Sequence, residues 1–376
     1  MKNVKRIIKA LCIVVVVLLL VSVGNDLLFT RHSHCKIRLD GFYLEDKDSL
    51  DVVVIGASDV YSGYSAGYAF EKYGFTSYPY AVPSDMVTLW KAQLKEVIKY
   101  QSPKMIVFEI NGALYETEDY NYNEGYIRNQ VDNMPMSKNK VELIKSLDLQ
   151  DPENYYFPFL KYHSNWTSID NAYFNVVDTI KMKSRGYSLL KGNYLKPVIC
   201  KRKRFESPKI DDAIPLNKGI EKDFREFLQY CKDEKIDNIL FTRFPHIIGK
   251  DTQVDRIKRT NTAEKIIKEY GYDFLNLEKN YDKVGIDFKR DFSSIDHLNM
   301  YGQKKVTDYI GKVLTEEYGV TKTKLTADQR ENWEESVKYN NMLYRACEDR
   351  QRKGKRDVLN EIGYKMKIIE EYDTEK

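Results

Sequence analysis

Two stretches of the chain carry residue types suited to nucleophilic chemistry. In Asp51-Val-Val-Val-Ile-Gly-Ala-Ser58-Asp59, a serine follows a run of four β-branched apolar residues and a glycine. In Arg290-Asp-Phe-Ser-Ser-Ile-Asp-His297-Leu-Asn-Met-Tyr-Gly302, a histidine stands just ahead of a helical pattern that runs to about Tyr318. A serine hydroxyl attacks poorly by itself. A histidine within reach can take its proton during attack and return it to the leaving group. Ser58 would equally serve as an N-cap at a strand-to-helix turn, so the first stretch alone does not decide its role. The G-x-S-x-G elbow is not matched, because Val60 stands at the last glycine position.

The elements that must bring these residues together follow from periodicity. Val52 to Ile55 reads as a strand buried on both faces of a parallel sheet. Phe75 to Ala81 reads as a short second strand broken by Pro79. Residues 88–100 carry apolar side chains at 89, 90, 94, 97 and 98, a helical period, and Met105 to Ile110 is a further buried strand. Strand, helix, strand in this order is a βαβ pattern. After a long interruption it resumes, with a helix at 221–234, a strand at 238–245, a helix at 262–270 and a strand at 272–277. The class predicted is α/β, a three-layer α/β/α sandwich with a mostly parallel sheet. In such sheets ligands collect beyond the carboxyl ends of the strands, the edge where Ser58 and His297 both fall.

Outside this core, Lys2, Lys5, Arg6 and Lys9 precede an apolar run from Ala10 that resumes at Leu27-Leu-Phe29. The span of about 20 residues suffices to cross a bilayer as a helix. The basic flank predicts a cytoplasmic N-terminus with the rest outside, a single-pass cell-membrane protein. A cleaved signal peptide ending near Ser22-Val-Gly24 is the rival reading, and apolar character beyond that point favours an uncleaved anchor over residues 1–30. Residues 31–48 read as a linker or first strand, 49–320 as the α/β domain, and 321–376 as a charged helical extension. In that extension Thr326-Ala-Asp-Gln329 has capping-box form, and the charged residues from about 348 read as a solvated face or mobile tail.

Net charge is only +4, with both signs interspersed, which gives no basic stripe for nucleic acid. The 29 tyrosines suit carbohydrate or interface contacts. Neither the five cysteines nor the five histidines show metal-ligand spacing apart from His32-Ser-His34 beside the apolar run, so neither a metal nor a cofactor is expected. Residues 114–216 break the α/β alternation and read as an insertion with an aromatic cluster from Tyr155 to Trp166, the kind of segment that forms a lid or binding surface.

Gly56-Ala-Ser58 after a first strand, with Asp-His297-Leu-Asn-x-x-Gly302 before the last helix, resembles the SGNH/GDSL hydrolase superfamily. Within it the chain is similar to the membrane-anchored bacterial cell-envelope branch, which holds DltD-like proteins of lipoteichoic acid D-alanylation and exopolysaccharide O-acetyltransferases. The resemblance covers roughly residues 50 to 315, with Arg128-x-x-x-Asp132 and Pro158 to Trp166 as weaker echoes. It implies Ser58 as nucleophile and His297 as base. Its oxyanion donors would be Ser58 itself, Asn111 at the end of the Met105 strand, and Ser84 or Asp85, since Pro83 has no N–H. Arg128, His163 and Trp166 would contact substrate. The family's triad aspartate falls at Ser294, so Asp296 or Asp291 would have to orient the imidazole, unless a Ser–His pair suffices.

The function these readings imply is a cell-envelope serine acyltransferase or esterase. Its substrate would be an acylated surface polysaccharide or teichoic acid, and its partner a membrane-bound O-acyltransferase. The alternative is a catalytically degenerate domain that binds glycan or assists such a transferase.

Overall fold

The computed structural model of the chain describes residues 2–27, 34–117, 123–164, 169–201, 210–248 and 251–374. Its centre is a five-stranded parallel sheet of β1 (Val52–Gly56), β2 (Ser77–Ala81), β3 (Met105–Glu109), β4 (Ile239–Arg243) and β5 (Asp273–Asn276). The strand order is β2-β1-β3-β4-β5. β1, β3 and β4 are the inner strands, and their near-continuous apolar runs are wholly buried. Pro79 pairs with Val54 from the edge strand β2, where a missing N–H leaves no second neighbour unbonded. β5, at the other edge, is partly exposed.

The chain leaves β1 through α3 (Ser58–Gly63) and α4 (Ala66–Tyr73) toward β2, then returns through α5 (Val87–Tyr100) to β3 on the opposite side of β1. Their connections diverge at the carboxyl ends of β1 and β3, the kind of position where ligands collect in open parallel sheets. Gly56 makes the turn possible. Its φ is +153°, and an added Cβ would lie 2.8 Å from the Glu109 Cβ and 2.9 Å from Val60.

The predicted insertion is helical: α6 (Glu124–Val131), α7 (Lys138–Ser146), α8 (Glu153–Tyr156), α9 (Pro158–Tyr162) and α10 (Ile169–Arg185). Beyond it the chain continues through α11 (Lys218–Asp233), β4, α12 (Asp251–Glu269), β5 and α13 (Tyr281–Val284). The final part holds α14 (Met300–Glu316), α15 (Ala327–Arg352) and α16 (Tyr364–Glu370). N-terminal to all of these, α1 (Lys2–Leu27) is long and apolar enough over Asn3–Gly24 to cross a membrane, and none of that span is buried.

Two sequence expectations are corrected. Residues 34–44 are not a linker or strand but helix α2 (His34–Leu44), buried along most of its length. Its charges mislead when read alone. Lys36 pairs with Asp40 at 2.5 Å, and the Arg38 guanidinium lies 3.8 Å over the Tyr61 ring, so both cations lie inside the fold. The region from 348 on is not a free tail over its described residues. Leu359 exchanges backbone hydrogen bonds with Leu195 at 2.9 and 3.0 Å. Glu361 accepts from the Leu189 and Leu190 N–H groups at 2.9 and 3.1 Å, and Ile369 is buried. The predicted capping box is present at Thr326 and Gln329, where α15 begins.

Candidate active site

Ser58 is the first residue of α3, set at the carboxyl end of β1 and half-buried. Its carbonyl accepts a hydrogen bond from the Ser62 hydroxyl at 2.7 Å, which braces this one-and-a-half-turn helix. Tyr61 lies on the same helix face as Ser58, one turn on.

His297 sits in a tight loop whose geometry explains the spacing of the second motif. The Ser293 N–H donates to the His297 carbonyl at 2.9 Å. Asn299 caps α14, its Oδ1 accepting from the Tyr301 and Gly302 N–H groups at 3.0 and 3.4 Å, while its Nδ2 donates to the Arg290 carbonyl at 2.6 Å. At Gly302 a Cβ would meet the Asp291 carbonyl oxygen at 2.4 Å, so only glycine fits there. α14 in turn packs against α3, so the histidine loop and the serine helix share one edge of the sheet.

The His297 ring is partly buried, and Ser294 Oγ lies 2.9 Å from its Nδ1. Burial lowers its pKa, and of the surrounding charges Asp59 opposes that shift while Lys196 reinforces it. The imidazole is therefore a neutral, available base at neutral pH. Neither aspartate expected to orient the ring does so. Asp291 is fully buried and accepts from the Asp287 N–H and from Lys305 Nζ, both at 2.7 Å. Asp296 points outward and pairs with Arg256 at 3.5 Å. The hydroxyl of Ser294 takes the place, three residues before His297, where the resembled family carries its aspartate. No hydrogen bond joins Ser58 Oγ to His297 among the described residues.

Beneath this edge lies a buried ion network that the motif reading missed. His246 Nε2 donates to Asp59 Oδ1 at 2.7 Å, and its Nδ1 lies 3.1 Å from Glu278 Oε1. Arg243 Nη1 donates to Glu109 Oε1 at 3.0 Å and to Asn111 Oδ1 at 2.9 Å, and its Nε stands 3.6 Å from Glu278. Burial and the Arg243 charge oppose protonation of His246, but Asp59 and Glu278 outweigh them and raise its pKa to about 9. Burial also opposes ionisation of Asp59 and Glu278, yet the cations beside them hold both below the usual carboxylate range. Three carboxylates face two cations, and Glu109 absorbs the imbalance: burial and the charge of Asp59 push it up to about 7. A signal for this network was present in the sequence. Glu109 and Arg243 are the last residues of apolar strands, and Asp59, His246 and Glu278 lie within three residues of a strand end.

The network also fixes Asn111. Arg243 occupies its Oδ1 and Glu109 Oε2 accepts its backbone N–H at 2.9 Å, so Nδ2 is the end of the amide left for a ligand. Ser84 is half-buried in the loop after β2 with φ of +52°, two residues past Val82, whose N–H donates to the Gly56 carbonyl at 3.2 Å. Asp85 is engaged by Trp90 Nε1 at 2.9 Å and Gln93 Nε2 at 2.8 Å, and burial raises its pKa to about 7.

The residues expected to contact substrate lie on the insertion. Arg128 is buried in structural pairs with Glu124 and Asp132 at 2.8 and 3.2 Å and lies 4.0 Å over the Tyr155 ring. The exposed His163 holds the Leu160 carbonyl at 3.0 Å at the end of α9. Trp166 lies outside the described residues. No protein-family model, curated protein or solved structure matches the chain.

Proposed function

We propose that the protein is a serine-dependent acyltransferase or esterase of the cell envelope, with an SGNH-like three-layer core. The observation that supports this reading is a shared edge of the sheet: Ser58 follows β1, Asn111 follows β3, and the His297 loop precedes α14, which packs against α3. In the reaction, His297 Nε2 takes the Ser58 proton as Oγ attacks an acyl ester, giving an acyl-serine and an alcohol that leaves with the proton. Water or a glycan hydroxyl then attacks the acyl-serine, and the histidine shuttles the second proton. Asn111 Nδ2, with the Ser58 and Ser84 N–H groups, would hold the oxyanion. Ser294 orients the ring without the charge of an aspartate, which leaves His297 a weaker base than in a full triad. α1 as an uncleaved anchor would hold the domain at the outer membrane–water boundary, with its acyl donor supplied by a membrane O-acyltransferase and an acylated polysaccharide or teichoic acid as substrate.

The hydroxyl at position 294 favours one second reading, a domain that binds acylated glycan without turnover. Fluorophosphonate labelling of the full chain in detergent, mapped by mass spectrometry, separates the two. An enzyme labels at Ser58, and labelling is lost in Ser58→Ala and His297→Ala. A folded chain that takes no label defeats the catalytic reading.

A further inference from the structure

Arg38 is a buried cation with no counter-anion among the described residues. Its side chain is 3% exposed, yet no carboxylate pairs with it among the described residues. Its contacts are the face of Tyr61 at 3.8 Å, the more distant ring of Tyr194 at 5.9 Å, and a long hydrogen bond from Nη2 to the Ala81 carbonyl at 3.5 Å. Nε and Nη1 are buried with no acceptor. A desolvated guanidinium with unmet donors is costly. The other buried arginine of this edge, Arg243, meets two carboxylates.

The position of this cation points to a ligand. Tyr61 stands one turn after Ser58 on the same helix face, and Ala81 is the register partner of Gly56. Arg38 therefore reaches the sheet edge that carries the serine. A second uncompensated cation lies along the same rim. Tyr194 and Lys196 flank the buried Leu195 on an extended segment, which puts them on one face. Tyr194 packs against Tyr61 with ring centres 5.1 Å apart, and the charge of Lys196 is felt at His297. Lys196 is half-buried without a carboxylate partner among the described residues, and desolvation lowers its pKa. The segment is firmly placed. Asn193 Nδ2 donates to Asn340 Oδ1 at 2.7 Å, its Oδ1 accepts from Gln303 Nε2 at 2.9 Å, and Leu195 pairs with Leu359.

We propose that Arg38 and Lys196, with the Tyr61 and Tyr194 rings that pack against Arg38, form an anion subsite beside Ser58 that takes a phosphate or carboxylate group of the substrate. Where the serine chemistry proposed above operates, the subsite places an acidic acceptor or donor next to the nucleophile. To that extent it rests on that reading, but anion binding does not require turnover. The subsite would make the enzyme selective for acidic over neutral glycans and lipids, with affinity that falls as salt rises.

The test is calorimetric titration of the full chain in neutral detergent at low salt with sn-glycerol 3-phosphate, with glucuronate, and with neutral glycerol and glucose. Binding of at least one acidic probe and neither neutral one is expected, with the preferred acid distinguishing phosphate from carboxylate recognition. Lys196→Gln should weaken that binding about 10-fold and Arg38→Gln more, each checked for folding by circular dichroism. Should Arg38→Gln fail to fold, the half-exposed Lys196→Gln decides alone. Ser58→Ala should bind the acid as the parent chain does. An absence of acid binding, equal binding of acidic and neutral probes, or affinity unchanged in the folded variants would overturn the subsite. Acid binding by a chain that takes no fluorophosphonate label would leave the subsite standing and remove the acyl chemistry.

Discussion

The two histidines near the end of β1 occupy opposite electrostatic settings. His246 has a carboxylate on each ring nitrogen, is buried, and holds its proton to about pH 9. His297 has a hydroxyl on one nitrogen, is partly open, and is biased toward the neutral form. Both lie near Asp59, whose field reaches each ring, so distance to a charge does not separate them. Direct hydrogen bonding does. An imidazole clamped between two carboxylates is a structural cation, whereas one held by a neutral hydroxyl keeps a lone pair for chemistry. The arginines differ in charge compensation: both keep two buried nitrogens without a hydrogen-bond acceptor, but Arg243 is ion-paired with Glu109 and Glu278 while no carboxylate pairs with Arg38 among the described residues.

Exchanging the roles of the two histidines produces the largest effect. His297→Ala should lower fluorophosphonate labelling by about 10³-fold or more, with a melting temperature near that of the parent. His246→Ala should do the reverse, removing the only hydrogen-bonded cation of Asp59 and one of two cations beside Glu278 among the described residues, at a cost of about 3–5 kcal/mol, measured by chemical denaturation. If His246→Ala folds normally and abolishes labelling instead, the assignment of the two rings is wrong. Asn111→Ala tests the link between network and sheet edge. It removes one proposed oxyanion donor and, under the proposed chemistry, should slow ester turnover by about 10²-fold, while Asn111→Asp, which places a charge there, should slow it further.

The pH dependence sharpens the same contrast. His246 has a folded-state pKa raised above the unfolded value near 6.5, so its stabilisation is complete below that value and is lost as pH rises through about 9. Glu109, also raised, adds a loss of stability between its unfolded value and about 7. Thermal midpoints should therefore fall from pH 6 to pH 9, and His246→Gln should flatten the upper half of that decline. Labelling at Ser58 follows His297 and should rise with pH, its midpoint below that of an ordinary histidine. The smallest effect expected is that of Ser294→Asp. A carboxylate at Nδ1 should move that midpoint up by about one pH unit and raise the plateau rate, making the loop resemble a full triad. An unmoved midpoint would mean that residue 294 does not hold the ring.

Much of this edge was legible in the sequence. The apolar runs of β1, β3 and β4 announce buried parallel strands because a strand covered on both faces has no polar alternation. Ser58, Asn111 and His297 could be placed near one edge because residues just past parallel strands share it. The partner of the His297 ring was not legible. Asp296 is adjacent and Asp291 six residues away, but the loop turns so that Ser294 faces Nδ1, Asp296 faces Arg256 and Asp291 faces Lys305. Nor was α2 legible, because Lys36, Arg38 and Asp40 give it the composition of a solvated linker while their partners lie on the same helix and on α3.

By itself, then, the sequence determined the strand runs, the apolar N-terminal helix, the capping box at Thr326 and the serine and histidine at strand and helix boundaries. All of these depend on neighbours a few residues apart, which periodicity and local hydrogen bonding report. The tertiary structure alone decided which charges are compensated. Asp59 meets His246 across 187 residues and Arg243 meets Glu109 across 134, whereas Arg38 meets an aromatic face and, among the described residues, no carboxylate. Whether a buried charge serves as scaffold or as binding group depends on which groups share its low-dielectric surroundings, and those groups come together only when the sheet assembles.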